Sequence, residues 1–197
     1  GSNNWVIGGG RSESGLPLVA SDPHIAFGSV SCWYQVHLSG AGFNTTGSGY
    51  VGVPGIIFGR NDRVAWGVTN NICAQRDLYQ EKEDGERPGY FLYDGKWEQA
   101  EEIEEEIVVK GGETVIKTVR STRNGPIVDE LIPEAAGGTG PVSLRWMGHE
   151  PCDEITSMLD ANSASSAAEF REALRSWIVP TWSFGFADVD GHIGYQA

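Results

Sequence analysis

The chain has 197 residues, enough for one substantial core or for part of a larger domain, and a 40% hydrophobic composition with seven Trp, seven Phe and six Tyr excludes a disordered chain. Its 27 acidic and 14 basic side chains leave a net charge of −13, which repels nucleic-acid phosphates and anionic membrane surfaces. No apolar run nears the roughly 18 residues of a membrane span, and the first residues lack the charged and apolar regions of a signal peptide.

Twenty-seven Gly and nine Pro point to many turns between short strands, hence an α+β chain dominated by strands. Trp5-Val6-Ile7 and Leu18-Val19-Ala20 flank a Gly-rich polar stretch, Gly8 to Gly15, as two paired strands do. A strand from Cys32 to Leu38 follows the turn signal Ser21-Asp22-Pro23, and an apolar run from Gly55 to Phe58 follows Pro54. Val64-Ala65-Trp66 then leads into the polar Thr69-Asn70-Asn71.

From Tyr90 to Val128 the pattern becomes one of hairpins, with Asp94-Gly95 and Gly111-Gly112 as turn signals, and reads as a β insertion at about 90–128. The acidic run from Glu98 to Glu106 reads as a solvated face. Pro133 to Pro141 reads as a loop, after which the periodicity turns helical. Ile155, Met158 and Leu159 fit one short helix. Ser166 to Glu169 forms a capping box ahead of Phe170, Ala173, Leu174 and Trp177, which predicts a helix from about Ala167 to Trp177. Phe184 to Ala187 and Ile193 to Tyr195 flank a turn at Asp188 to His192. Strand pairing that runs almost to Ala197 reads as a chain cut short.

Cys32, Cys73 and Cys152 are odd in number and widely spaced, which indicates neither a disulfide framework nor a zinc site. His24, His37, His149 and His192 have no metal-ligand spacing. Gly8-Gly9-Gly10 precedes no helix and makes a poor phosphate loop, and no G-x-S-x-G elbow occurs. What remains is Ser2, followed at once by an apolar strand. That arrangement suits a nucleophile whose general base is its own α-amino group, with a pKa near 7.7 to 8.0. A leading Gly-Ser is also what an expression vector leaves behind.

The residues that follow favour the nucleophile, and leave open whether Gly1 is a precursor residue or a cloning remnant. Ser2-Asn3-Asn4-Trp5 resembles the start of the β-chain of penicillin acylases, which are N-terminal-nucleophile hydrolases. Further blocks resemble that family in the same order: Ser21 to His24, Val53 to Asn61, Val64 to Asn70, Arg76 to Tyr79, Asn124 to Ile127, and Ala187 to Tyr195. The resemblance implies part of an α/β/β/α sandwich and hydrolysis of a linear amide, the side-chain amide of a β-lactam or a similar N-acyl compound. It makes Ser2 the nucleophile, the backbone N–H of Asn70 an oxyanion-hole donor, and His24 a neighbour that orients substrate or serves as scaffold. Ile25, Phe58 and Val68 fall on positions of the apolar acyl pocket, or equally of plain core.

No cofactor is implied beyond a calcium ion that some relatives bind. Asp77 matches one ligand, but Ala74 occupies another ligand position, and a hard cation needs several oxygens. An Asn of the family pattern is replaced by Ser183. The implied partners are an α-chain from the same precursor and the rest of the β-chain, with a small amide as substrate and neither nucleic acid nor membrane. The implied location is periplasmic or extracellular. While the Gly1–Ser2 bond stands, the nitrogen of Ser2 is an amide without a basic lone pair. Further active-site residues of the family lie beyond Ala197, so these 197 residues alone are expected to show no turnover. An acyl-homoserine-lactone or lipopeptide acylase shares the same nucleophile, and a non-catalytic β-rich binding module is the alternative of another class.

Overall fold

The computed structural model describes all residues except 26–27, 29–30 and 133–139, so most of the predicted 133–141 loop lies outside the described residues. The chain divides into two compact units, Gly1–Cys73 with Glu150–Ala197, and Ala74–His149.

In the first unit, β1 (Ser2–Ile7) and β2 (Leu18–Pro23) form the antiparallel hairpin that the apolar runs predict, with Trp5 opposite Ala20 and Ser2 opposite Pro23. Four further strands follow: β3 (Trp33–Gly40), β4 (Phe43–Tyr50), β5 (Phe58–Arg60) and β6 (Val64–Asn70). Near the C-terminus come β14 (Trp182–Asp188) and β15 (Ile193–Gln196). These six make one antiparallel sheet in the order β15-β14-β6-β5-β4-β3. The sequence reading passes over β4, whose Asn44-Thr45-Thr46-Gly47 carries no apolar alternation. It is a strand because β3 and β5 pair with it on either side.

The period-2 alternation of β6 and β14 assigns their two faces. Val64, Trp66, Val68, Trp182, Phe184 and Phe186 point to one side, into a core shared with the helices α1 (Glu154–Ser163) and α2 (Ala167–Ala173). Helix α2 starts at Ser166, whose side chain accepts from the Glu169 N–H as the capping box predicts. It is shorter than predicted, because Leu174–Ser176 tighten into a 3-10 turn. Phe170, fully buried, lies against Trp66, Phe184 and Phe186 with ring centroids 4.9 to 6.3 Å apart. Asn162 of α1 holds the connection between β4 and β5, accepting from Ile56 N at 2.6 Å and donating to Ile56 O at 2.8 Å. The opposite face, with Ala65, Gly67, Thr69, Gly185 and Ala187, receives the β1–β2 hairpin.

The second unit holds an antiparallel ribbon of β7 (Arg76–Gln80) with β13 (Val142–Trp146). A hairpin joins β8 (Tyr90–Tyr93) to β9 (Lys96–Gln99), and a small sheet has the order β10 (Glu101–Ile107), β11 (Val115–Thr122), β12 (Gly125–Pro126). Asp94 and Gly95 both have positive φ, as a two-residue hairpin turn requires. Every residue of the acid-rich β10 is exposed. Buried Glu81 collects Ser143 Oγ, Thr122 Oγ1 and Asn124 Nδ2 on one carboxylate oxygen at 2.6 to 3.0 Å and so joins three segments of this unit.

Two outcomes follow from this packing. Phe170→Ala, which empties the centre of the helix-side core, is expected to cost about 3–5 kcal/mol in chemical denaturation. Buried Asp188 is the second case. Burial pushes its carboxyl up, but hydrogen bonds from the N–H groups of Ala167 and His192 outweigh that and hold its pKa below the ordinary aspartate value. A depressed folded pKa contributes stability above the unfolded value of roughly 3.9 and loses it as pH falls through the folded value. Asp188→Asn should therefore flatten the dependence of stability on pH below about 4, measured by thermal unfolding across that range.

Candidate active site

Ser2 lies on the inward phase of β1, with Asn4 and Val6, while Asn3, Trp5 and Ile7 face outward. Its hydroxyl donates to Gly1 O at 2.7 Å. The β1–β2 ladder extends one residue past the strands: His24 N donates to Gly1 O at 2.8 Å, and the Gly1 amine to His24 O at 3.3 Å. His24 is therefore brought next to the Gly1–Ser2 bond by backbone pairing. Its exposed imidazole turns to Asp22, with Nε2 3.0 Å from Oδ2.

Two side chains dock the hairpin on β6. Thr69 Oγ1 donates to Ser2 O at 2.9 Å. Ser21 Oγ, on β2, donates to Val68 O at 3.3 Å and accepts from Val68 N at 3.2 Å. Both Val68 backbone groups therefore point away from β14. Asn71 N bonds Thr181 O at 3.1 Å, so by the antiparallel alternation the Asn70 N–H also points away from β14, along the edge that Ser21 meets. The pairing of β5 with β6 covers only Ala65 and Trp66, and no described strand reaches Asn70 on that side. A backbone donor thus stands at the end of β6, one residue from the Thr69 contact to Ser2.

The other predicted site residues lie elsewhere around this point. Val68 is 3% exposed and its side chain belongs to the helix-side core, on the face opposite Thr69. Phe58 is half-buried, edge-on to Trp33 at 4.8 Å. Ile25, just past β2, is 44% exposed. Ser183 is buried opposite Thr69, with its hydroxyl 2.7 Å from that of Tyr195. Asp77 is exposed on β7 in the second unit. Ala74 offers only a methyl group, and among the described residues no three His, Cys, Asp or Glu gather into a metal-holding group. The described carboxylates therefore do not gather into the oxygen shell of a calcium ion. Among the described residues, no helix is long and apolar enough to cross a membrane.

The sequence reading passes over the Thr69 hydrogen bond to Ser2 O and the Asn4 hydrogen bonds to Gly67 O and Ser183 O. A threonine in a strand carries no mark of a long-range contact. Asn4 does carry one: a carboxamide on the inward phase of an apolar strand.

The family profile described as penicillin amidase matches residues 1–197. This chain belongs to the penicillin amidase family. Within it, Penicillin G acylase of Escherichia coli is 31% identical over 98% of this chain and 22% of its own length. Acyl-homoserine lactone acylase QuiP of Pseudomonas aeruginosa is 30% identical over 99% of this chain and 24% of its own length. The chain thus spans about a quarter of the length of these relatives. The thermostable penicillin G acylase from Alcaligenes faecalis shares the fold with a TM-score of 0.80 and 25% identity, over 98% of this chain and 34% of that one. The strand-rich architecture is accordingly part of the N-terminal-nucleophile hydrolase sandwich.

Proposed function

We propose that this chain carries the nucleophile of an amidohydrolase that cleaves linear amides of N-acyl compounds. The observation that supports it most is the Asn70 N–H at the end of β6, which points away from β14 to a side where no described strand pairs with it, next to the Thr69 contact to Ser2. Cleavage of the Gly1–Ser2 bond turns the Ser2 amide nitrogen into an amine, which takes the proton of Oγ as that oxygen attacks the substrate carbonyl. The oxyanion that forms accepts a hydrogen bond from the Asn70 N–H. The proton passes to the leaving nitrogen, the C–N bond breaks, and water hydrolyses the acyl ester to release the carboxylic acid and Ser2. Ile25 and Phe58 are the side chains we assign to the apolar acyl site.

The relatives named for penicillin G and for acyl-homoserine lactones both fit this chemistry, and we favour an N-acyl substrate of either kind over a binding module. The rest of the precursor is the partner this reading requires. β1 pairs only with β2 among the described strands, and its other side borders a cleft of about 400 Å³ that includes Val6, Ile193 and Tyr195, which supports further chain completing that layer. A periplasmic or extracellular location goes with the reading and rests on the family resemblance.

Intact mass and N-terminal sequencing of the full-length protein should show a chain that begins at Ser2, and its Ser2→Ala variant should remain uncut and inactive. An uncut wild type, or turnover that survives Ser2→Ala, sinks the proposal. The purified 197-residue chain is expected to show no amidase turnover. The oxyanion role makes a sharper prediction, because the donor is backbone. Asn70→Ala keeps the N–H and should leave kcat near wild type, whereas Asn70→Pro removes it and should lower kcat by about 10²–10³. Equal losses in the two variants would argue against that role.

A further inference from the structure

Asn4 occupies the inward position of β1 between Ser2 and Val6, and it faces two glycines. Gly67 and Gly185 are cross-strand partners at the seam of β6 and β14. A Cβ on Gly185 would lie 2.7 Å from Asn4 Oδ1, and one on Gly67 would lie 3.1 Å from the same atom and 2.7 Å from Ser21 Cβ. Through the space that these glycines leave, the Asn4 amide donates to Gly67 O at 2.9 Å and to Ser183 O at 3.4 Å. One carboxamide joins β1 to both central strands. Its own oxygen is buried and has no hydrogen-bond partner among the described residues. An unmet buried acceptor is a standing cost, and a position chosen for packing alone would hold an apolar side chain.

The spacing explains what that cost secures. Asn4 and Ser2 are two residues apart on one face of β1, and Gly67 and Thr69 are two residues apart on one face of β6. The Asn4–Gly67 and Thr69–Ser2 hydrogen bonds therefore define a single register of β1 against β6. A slip of two residues would set the amide against Thr69, whose Cβ closes the window. Only Asn4, of the two, also reaches β14. We propose that Asn4 is a positioning residue, which sets the register and depth of the N-terminal strand so that Ser2 comes to rest beside the Asn70 N–H. This rests on the reading of Ser2 as nucleophile.

The test separates placement from packing in the full-length enzyme. Asn4→Ala removes the donor and leaves a void. Asn4→Ala combined with Gly185→Ala puts a methyl into the space of the lost amide, against a Val6 methyl that can rotate aside. Asn4→Ala should lower kcat for an N-acyl aryl amide about 10- to 100-fold, the scale of a small misplacement of a reacting group, with KM close to wild type. The double variant should regain the melting temperature but not kcat. Crystal structures of wild type and Asn4→Ala should show a wider separation of Ser2 Oγ from Asn70 N in the variant. The proposal is overturned by an unchanged kcat in Asn4→Ala, by kcat recovering along with the melting temperature, or by an unchanged separation. Turnover that survives Ser2→Ala would instead sink the nucleophile reading, and the measured separation would still decide the role of Asn4.

Discussion

The N-terminal hairpin can lie flat on the central sheet because Gly67 and Gly185 face each other across the β6–β14 seam. A Cβ on either would collide with Ser21, Val6 or Asn4. Two β-sheet faces normally pack about 10 Å apart with side chains between them. Here the absent side chains bring polar groups of the hairpin down onto the backbone of the sheet. Ser21 meets both backbone groups of Val68, Asn4 meets two carbonyls, and Thr69 meets the carbonyl of Ser2. The strand that carries Ser2 is therefore anchored mainly by directional bonds.

The other face of the same strands is held in a different way. Trp66, Val68, Trp182, Phe184 and Phe186 meet Phe170, Leu174 and Trp177 of the helical segment, and the burial is large and nonspecific in direction. This division suits a site built on the hairpin side. The aromatic core fixes β6 and β14 in place, and those strands then present an invariant edge at which the Asn70 N–H stands. Val68 shows the division within two residues: its side chain belongs to the core, while its backbone is held by Ser21 of the hairpin.

Much of the fold was legible because its elements carry strong local patterns. The Ser166 capping box with Phe170 and Leu174 at helical spacing, the Asp94-Gly95 turn, and the apolar runs at Trp5 and Leu18 all occur as elements where the pattern places them. β4 was not legible, since its Thr, Asn and Gly residues have no alternation and become a strand only through their neighbours. Helix α2 ends before its periodicity does, because Leu174–Ser176 tighten before the chain turns towards β14.

The order of residues was enough to determine the family, the candidate nucleophile at Ser2 and the candidate donor at Asn70, since these rest on motifs a few residues long read in sequence order. Which side of a strand each residue uses was a tertiary decision. Whether Val68 lines a pocket or the core, where the Asn70 N–H points, and what Asn4 bonds depend on contacts between positions 47 to 179 residues apart. Local propensity carries no information about such contacts. They arise when the hydrophobic burial of one face commits β6 and β14 to a single orientation, which leaves the other face to be read by the hairpin.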